Sequence, residues 1–166
     1  MLKCVFLDRD GVINKDTKYV YKFSDIIWNK HIFKIIKLLK KKKIKICVVT
    51  NQSGVARGYF TENDVNILHR KMNKYIFKKT GYKIDKFKFC PYLKNAKIKK
   101  YNKNSNNRKP NPGMINSYIR EKNLKKDNCI IIGDRKTDYI CGKKAGIKSY
   151  IIKNKNFSDL IRRQIQ

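Results

Sequence analysis

The sequence predicts an α/β fold in which helices cover both faces of a doubly wound parallel sheet. Three short apolar runs, at residues 4–7, 44–49 and 129–132, have the length of buried strands, and segments with helical spacing lie between them. Ligands of such folds bind beyond the carboxyl ends of the parallel strands, so the residues that follow the three runs are expected to meet there. The polar residues at these ends are Asp8, Asp10, Thr50 and Asp134.

The first half of the chain alternates strands with helices, as this fold requires. Apolar residues recur three and four positions apart over 32–39, which predicts a helix between the first two strands. After the second strand, glycines mark a loop at 54–58. A second helix is expected over 61–81, since a threonine offers a cap, acids fill the first turn and a glycine ends the apolar stripe. Residues 87–90 alternate like a short third strand.

The second half of the chain opens with a polar stretch, 91–107, which is rich in lysine and asparagine and is expected to be a loop. Pro112 suits the first turn of the helix that follows it. After the third apolar run, a short helix is expected over 138–145, where a glycine closes it. A last strand over 149–152 and a last short helix over 158–164 complete the predicted order.

Length and composition indicate one globular domain over residues 1–166. The hydrophobic content of 41% is ordinary for a folded domain, and no insertion is long enough to form a separate cap domain. No apolar stretch approaches the ~20 residues of a membrane span, and Asp8 interrupts the N-terminal run, so we expect neither a membrane segment nor a signal peptide. We expect a monomer, because no heptad pattern or exposed apolar strip stands out.

The five cysteines indicate free thiols rather than a disulfide framework. Most of their positions lie in strand-like runs, where a free cysteine behaves as a small buried hydrophobe. Because five is an odd number and no framework is implied, the cytosol is the expected compartment.

The formal net charge of +30 is extreme for a chain of this size. One interpretation is a surface for nucleic acid or another polyanion. The other is compositional drift, since lysine, asparagine, isoleucine and tyrosine are frequent throughout the chain. We favour drift, because the lysines are scattered, and we expect nucleic acid not to be the partner. In either case the positive field should attract a small phosphorylated substrate.

The Asp8-x-Asp10 pair is a weak signal alone, because acidic pairs also begin loops and cap helices. As a reaction site, one carboxylate could attack and coordinate a metal while the other handles a proton. The series that follows strengthens this interpretation: a strand ending in Thr50, then Arg108-Lys109-Pro110, then a strand ending in Gly133-Asp134.

This order of motifs resembles the haloacid dehalogenase-like phosphatase superfamily. The segments "FLDRDGVIN", "VVTNQSGVARGYF" and "RKPNPGM" are similar to its heptose-bisphosphate and histidinol-phosphate phosphatase branch, and the likeness extends from about Leu2 to Gly146. The resemblance implies hydrolysis of a phosphate ester through an aspartyl-phosphate, and the lack of a cap insertion predicts an open site that suits a small, polar substrate. It also implies Mg²⁺, a hard cation that prefers oxygen ligands.

The resemblance assigns a role to each motif residue. Asp8 would be the nucleophile, and Asp10 the general acid and then the base. Thr50 would hold a phosphoryl oxygen, and Lys109 would neutralise the phosphoryl and carboxylate charges. The metal ligands would be Asp8, the backbone carbonyl of Asp10, and Asp134, with Asp138 bracing the loop. The residues expected to contact substrate are Asp16, Tyr19, Asn51, Gln52, Ser53, Arg108 and Arg135.

The chain departs from the branch at a structural zinc loop that many members carry before Arg-Lys-Pro. Only Cys90 of its four ligands is present, and the other three positions hold Tyr92, Ser105 and Asn107. One ligand cannot hold a tetrahedral zinc ion, so we expect no zinc. The 91–107 loop should then be more mobile unless side chains pack it. The two histidines, His31 and His69, are expected to be exposed residues of predicted helices.

Four functions follow in order of preference. The first is removal of the distal phosphate of D-glycero-D-manno-heptose 1,7-bisphosphate, in the pathway to nucleotide-activated heptose. Histidinol-phosphate phosphatase is the nearest alternative, because the two activities share motifs. A nucleic-acid 3′-phosphatase fits the charge and the open site but not the sugar-phosphate motifs. A binding protein without activity is disfavoured by the intact set of motif residues.

Overall fold

The computed structural model describes residues 1–152 and 157–165. The described residues form an all-parallel sheet with helices on both faces, which confirms the predicted fold class. The predicted range 1–166 also includes 153–156 and 166, which lie outside the described residues. The strands are β1 Cys4–Leu7, β2 Lys45–Asn51, β3 Lys86–Cys90, β4 Cys129–Gly133 and β5 Lys148–Ile151. The helices are α1 Ile32–Lys41, α2 Gly54–Arg57, α3 Glu62–Thr80, α4 Gly113–Glu121, α5 Lys136–Ala145 and α6 Phe157–Ile165.

The strand order places the switch in winding direction at the centre of the sheet. The order is β3-β2-β1-β4-β5, so β1 lies between β2 and β4 and pairs with both in parallel. The chain winds outward from β1 on one side and then returns to β4 on the other. Ligand sites of open α/β sheets lie at such a switch point, beyond the carboxyl ends of the strands.

Alternation along the strands divides the interior into two apolar layers. Val5 and Leu7 of β1 face one layer, which α1, α3 and α6 complete. Cys4 and Phe6 face the other layer, which α4 and α5 complete. Strands buried on both faces explain why their sequences are continuous apolar runs rather than alternating ones. Rigid strands of this kind fix the positions of the loops that follow them.

Helix α3 begins and ends as its sequence signals predict. Thr61 is its N-cap, and the side chains and backbones of Thr61 and Asp64 form a reciprocal capping box. Gly81 ends the helix in the left-handed conformation, with φ of +78°, which favours glycine. Helix α3 therefore holds a fixed place against the sheet, and its buried face reaches the region behind the ends of β1 and β2.

The structure corrects one predicted loop and shows how a second one is packed. Residues 54–58 are not a simple loop, because 54–57 form the short helix α2. The 91–107 segment contains a 3₁₀ turn at Lys99–Tyr101, and Tyr101 is buried in an apolar cluster that includes Ala56 and Phe60. The Tyr101 hydroxyl donates to Glu62 of α3 over 2.7 Å, so side chains pack this loop.

The prediction that His69 is exposed is wrong. Its side chain is buried, with 5% of its surface exposed, and its ring stacks on Phe87 of β3. His31 is exposed, as predicted, but lies at the N-cap of α1 rather than within the helix. In the described part of the chain, we find no helix that is both long and apolar enough to span a membrane.

Candidate active site

The loops after β1, β2 and β4 enclose a cleft of about 380 Å³ at the carboxyl edge of the sheet. This volume suits a small ligand, although the cleft is open to solvent. Most of the residues predicted from the motifs line it. They are Asp8, Asp10, Asp16, Tyr19, Thr50, Asn51, Gln52, Ser53 and Arg135, and the sequence analysis did not include the further lining residues Lys18, Gly54 and Thr137.

A buried lysine joins two of the acids. Nζ of Lys109 lies 2.8 Å from Oδ2 of Asp8 and 2.5 Å from Oδ1 of Asp138. Burial alone would lower the pKa of Lys109, but the two carboxylates outweigh it and hold that pKa above its usual value. Burial raises the pKa of Asp8 to about 7, with Lys109 acting in the opposite direction. The cluster therefore places a cation directly beside the predicted nucleophile.

Asp10 is held by hydrogen bonds to both of its oxygens. Oδ1 accepts from Nε of Arg9 at 3.1 Å and from Asn14 at 2.9 Å. Oδ2 accepts from Nη2 of Arg9 at 2.9 Å and from Gln52 at 3.0 Å. Burial would raise the pKa of Asp10, but the Arg9 charge and these bonds lower it below its usual range. The carboxylate is thus fixed in position and favoured in its charged form.

Three carboxylates form a group that could hold a cation. Oxygens of Asp8, Asp134 and Asp138 lie within 4.8 Å of one another. Both oxygens of Asp138 are already bonded, one to Lys109 and the other to the backbone N–H of Arg135. Oδ1 of Asp134 is buried and has no hydrogen-bond partner among the described residues. Asp134 therefore has an oxygen open to a cation. Both oxygens of Asp8 already accept hydrogen bonds, Oδ1 from the backbone N–H of Arg9 and Oδ2 from Lys109, so a cation would share an oxygen of Asp8 with one of these donors. Asp138 joins Lys109 to the turn after β4.

Burial first, and then the charge of Asp138, raise the pKa of Asp134. A hard divalent cation beside Asp134 and Asp8 would favour the charged form of both, so the donor set fits Mg²⁺.

The loop after β1 approaches Asp134 closely at a glycine, Gly11. A Cβ at Gly11 would lie 2.1 Å from Oδ2 of Asp134, and φ of Gly11 is +86°, so only glycine permits this approach.

The end of β2 contributes polar groups that organise the cleft as well as line it. The Thr50 hydroxyl accepts a hydrogen bond from Gln52 at 2.9 Å. The Asn51 amide forms a reciprocal pair with the backbone of Lys109, at 2.9 Å and 3.0 Å. The predicted substrate residue Asn51 therefore also fixes the peptide unit that carries Lys109.

Other predicted substrate residues form the rim of the cleft. Arg135 pairs with Asp16, which joins the loop after β1 to the turn after β4. Tyr19 has φ of +53°, an uncommon conformation for a tyrosine, and its ring meets Tyr59 edge-on at 4.8 Å between ring centroids. Arg108 is not among the residues that line the cleft, and its guanidinium donates to the carbonyl of Tyr92 at 3.0 Å.

The contact between Arg9 and His69 was not predicted from the sequence. Arg9 is fully buried, and its Nη1 lies 3.3 Å from Nε2 of His69. A signal for His69 was present, because it follows Val65 by four residues and so lies on the apolar stripe of α3. No comparable pattern indicates Arg9, whose partners lie as far as 60 residues away in the chain.

Comparison with known proteins identifies the family. The profile described as haloacid dehalogenase-like hydrolase matches residues 97–152. The D-glycero-alpha-D-manno-heptose-1,7-bisphosphate 7-phosphatase of Campylobacter jejuni subsp. jejuni is 40% identical over 152 residues, covering 92% of this chain and 83% of the relative. The D-glycero-beta-D-manno-heptose-1,7-bisphosphate 7-phosphatase of Helicobacter pylori is 33% identical over 150 residues, covering 90% and 83%.

A solved structure agrees with these relatives over the full fold. The D,D-heptose 1,7-bisphosphate phosphatase of B. bronchiseptica, crystallised with magnesium and phosphate, superposes with a TM-score of 0.82 at 26% identity, covering 98% of this chain and 87% of that one. The strand order, the cleft at the switch point and the relatives agree. The chain belongs to the haloacid dehalogenase-like hydrolases, in the family of the heptose-bisphosphate phosphatases.

Proposed function

We propose that this chain is a Mg²⁺-dependent phosphatase that removes the 7-phosphate of D-glycero-D-manno-heptose 1,7-bisphosphate. The observation that carries the reaction type is the contact of 2.8 Å between Lys109 and Asp8, beside the fixed carboxylate of Asp10. The substrate is supported by relatives of that name at 33% and 40% identity over most of the chain. The cleft, lined mainly by polar side chains, suits a small, highly charged ligand.

In the first half-reaction, a carboxylate oxygen of Asp8 attacks phosphorus, and the bond between phosphorus and the sugar oxygen breaks. The phosphoryl group moves onto Asp8 as an aspartyl-phosphate. Lys109 lies beside the attacking group and offsets the negative charge that nucleophile and phosphoryl group bring together. The leaving sugar oxygen takes its proton from the carboxyl group of Asp10.

In the second half-reaction, Asp10 acts as a base. It removes a proton from a water molecule, whose oxygen attacks phosphorus and breaks the bond to Asp8. Phosphate leaves, and both carboxylates return to their starting state. The bonds from Arg9, Asn14 and Gln52 favour the carboxylate form that this step needs, whereas the first half-reaction requires Asp10 to hold a proton.

The proposed metal ligands are Asp8, Asp134 and the backbone carbonyl of Asp10. When bound there, Mg²⁺ would supply positive charge that lets a phosphate approach several carboxylates. Contacts within the chain position these ligands. Gly11 allows the loop after β1 to approach Asp134 closely, and Lys109 holds Asp138.

Substrate recognition is assigned to the rim of the cleft. Arg135 offers a planar fork to a phosphate or to sugar hydroxyls, and Asp16 holds that fork across the site. Ser53 and Tyr19 lie on the walls and are proposed to contact the sugar. Arg108 would reach a ligand that extends past the cleft, since its guanidinium is held at Tyr92.

We propose a single domain, a monomer, a cytosolic location, no zinc in the 91–107 loop and no nucleic-acid partner. The α and β anomers of the bisphosphate are named among the relatives, so both belong in the test.

Phosphate release with Mg²⁺ tests the proposal. The substrates are both anomers of the heptose bisphosphate, histidinol phosphate and a 3′-phosphorylated oligonucleotide. We expect kcat/KM to favour one bisphosphate anomer over the other two substrates by about 100-fold or more, which is ~2.7 kcal/mol. Preference for histidinol phosphate or the oligonucleotide would overturn the substrate but not the reaction type. No release from any of them would contradict both.

A further inference from the structure

Arg9 lies between the two aspartates of the Asp-x-Asp motif, and its side chain is fully buried. A buried charge is costly unless hydrogen-bonding groups surround it. The guanidinium lies behind the cleft rather than at its rim, so it is not placed to bind substrate. Its partners within the protein therefore define what it does.

The guanidinium holds Asp10 as a two-pronged fork. Nε and Nη2 of Arg9 donate to the two different oxygens of Asp10, over 3.1 Å and 2.9 Å. Two parallel bonds between a planar guanidinium and a carboxylate fix the orientation of the carboxylate plane as well as its position. With a single bond or a point charge in place of the fork, only the bonds from Asn14 and Gln52 would fix the carboxylate plane.

The same guanidinium reaches two other segments of the site. Nη2 donates to the carbonyl of Val20 at 2.8 Å, directly after the cleft residue Tyr19. Oε1 of Gln52 lies 3.1 Å from the same Nη2, so the two protons of Nη2 are shared among three acceptors, and the amide nitrogen of Gln52 donates to Asp10 and Thr50. Arg9 thus connects Asp10 to the loop after β1 and to the end of β2.

Helix α3 completes the arrangement through His69. Nε2 of His69 lies 3.3 Å from Nη1 of Arg9. Arginine only donates hydrogen bonds, so Nε2 must be the acceptor and the ring proton must be on Nδ1. The ring is held by stacking on Phe87, with 4.7 Å between ring centroids. His69 is therefore a fixed acceptor that orients the far side of the fork.

We propose that Arg9 is a positioning residue for proton transfer, which aims the Asp10 carboxyl group at the leaving oxygen, and that His69 fixes Arg9 in turn. This inference rests on the proposed phosphatase activity. Neither residue would touch the substrate. Proton transfer needs donor and acceptor within hydrogen-bond reach, so a carboxylate free to turn would transfer protons poorly while phosphoryl binding stayed intact.

The test uses two leaving groups. The sugar oxygen of heptose 1,7-bisphosphate needs a proton to leave, whereas the phenolate of p-nitrophenyl phosphate leaves without one. The kcat/KM of each substrate reports the steps through formation of the aspartyl-phosphate, so the later role of Asp10 as a base does not enter. Loss of folding, metal or phosphate binding lowers both values, but loss of proton transfer lowers only the first.

The variants separate charge from geometry. Arg9→Lys keeps the charge and loses the fork, and we expect kcat/KM for the sugar phosphate to fall about 100-fold or more, with less than about a 10-fold change for the aryl ester. His69→Leu removes the acceptor and should have the same selective effect at about 10-fold. His69→Gln replaces Nε2 with an amide group that can accept, and it should restore the rate to within about 3-fold of wild type.

Melting temperatures show whether each variant is folded. If Arg9→Lys does not fold, the test rests on the two His69 variants: a selective loss for the sugar phosphate in His69→Leu and its recovery in His69→Gln. An equal loss on both substrates in a folded variant, or no loss on either, would overturn the proposal. A wild type that hydrolyses histidinol phosphate but not the heptose bisphosphate would refute the proposed substrate alone, and the same comparison would then use histidinol phosphate.

Discussion

The amine of Lys109 lies 2.8 Å from a carboxylate oxygen of Asp8, and both groups are almost fully buried. The residues come from opposite halves of the chain, and the Asn51 amide holds the Lys109 backbone in place. Asp8 therefore meets an incoming phosphate with its charge already partly offset. This contact makes Lys109 a buried cation beside the proposed nucleophile rather than a surface cation.

We expect Lys109→Met to lower kcat/KM for phosphate release by about 100- to 1000-fold, the scale seen when one preorganised electrostatic contact is removed from a reacting oxyanion. The variant leaves Asp8 and Asp138 without their buried cation, so it should also be less stable. Steady-state kinetics and thermal melting measure the two effects. Lys109→Arg should not restore the rate, because its planar fork does not fit the place of a point charge. A folded Lys109→Met variant within 10-fold of wild type would rule out this role.

Arg135→Ala should raise KM for the bisphosphate by about 10-fold while kcat changes little, because the guanidinium lies on the rim and contributes to binding more than to the reaction. The chain carries many positive charges, so the control must remove an equal charge elsewhere. Arg120 is exposed on α4 and serves this purpose. If Arg135→Ala and Arg120→Ala raise KM equally, the general positive field rather than a specific contact attracts the substrate.

The 91–107 loop should keep its fold without zinc, because the buried Tyr101 ring and its bond of 2.7 Å to Glu62 hold it. We expect the purified protein to contain no stoichiometric zinc by mass spectrometry, and a zinc chelator to leave its melting temperature unchanged. Tyr101→Leu, as the positive comparison, should lower the free energy of unfolding by about 2 kcal/mol. Bound zinc, or a melting temperature that falls with the chelator, would show that other residues replace the missing ligands.

Protonation of His69 should destabilise the fold. Burial first, and then the Arg9 charge, lower its pKa from 6.5 to about 3. Below pH 6.5 the unfolded chain takes up a proton that the folded chain does not, which lowers the free energy of unfolding. The stability that depends on neutral His69 is therefore complete above about pH 7 and is lost as the pH falls towards 3. Between pH 7.5 and pH 5 the loss amounts to about 2 kcal/mol.

Urea denaturation of the wild type and of His69→Gln at the two pH values measures this contribution. Other groups titrate in both proteins, so the difference between their pH dependences isolates His69. The pH dependence should be smaller for His69→Gln. Equal pH dependences would show that His69 titrates normally in the folded protein.

The parts of the site that follow strands were predictable from sequence. An apolar run that stops at polar residues marks both a strand and its end, so Asp8, Thr50 and Asp134 could be assigned to one edge of the sheet. The parallel order then determined that these ends lie side by side. The capping threonine and terminal glycine of α3 were predictable for a similar reason, because their signals are local.

Contacts between distant segments were not predictable in this way. The sequence around Arg9 predicts a polar residue within a loop. Only its contacts with Gln52 and His69 in the structure show that it is buried. The residue type of His69 suggests exposure, whereas its position on the apolar stripe of α3 indicates burial. Tyr101 lies in a polar stretch, so its burial depends on where the 91–107 loop folds back onto α3.

The most direct measurement follows heptose 1,7-bisphosphate by ³¹P NMR during turnover with Mg²⁺, using wild type and Asp8→Asn. We expect the wild type to convert only the 7-phosphate to inorganic phosphate and to leave heptose 1-phosphate. Asp8→Asn should release none, while Asp127→Asn, an exposed acid far from the cleft, should match the wild type. Loss of the 1-phosphate would contradict the proposed orientation of the substrate. Undiminished turnover by Asp8→Asn would contradict the assignment of Asp8 as the nucleophile.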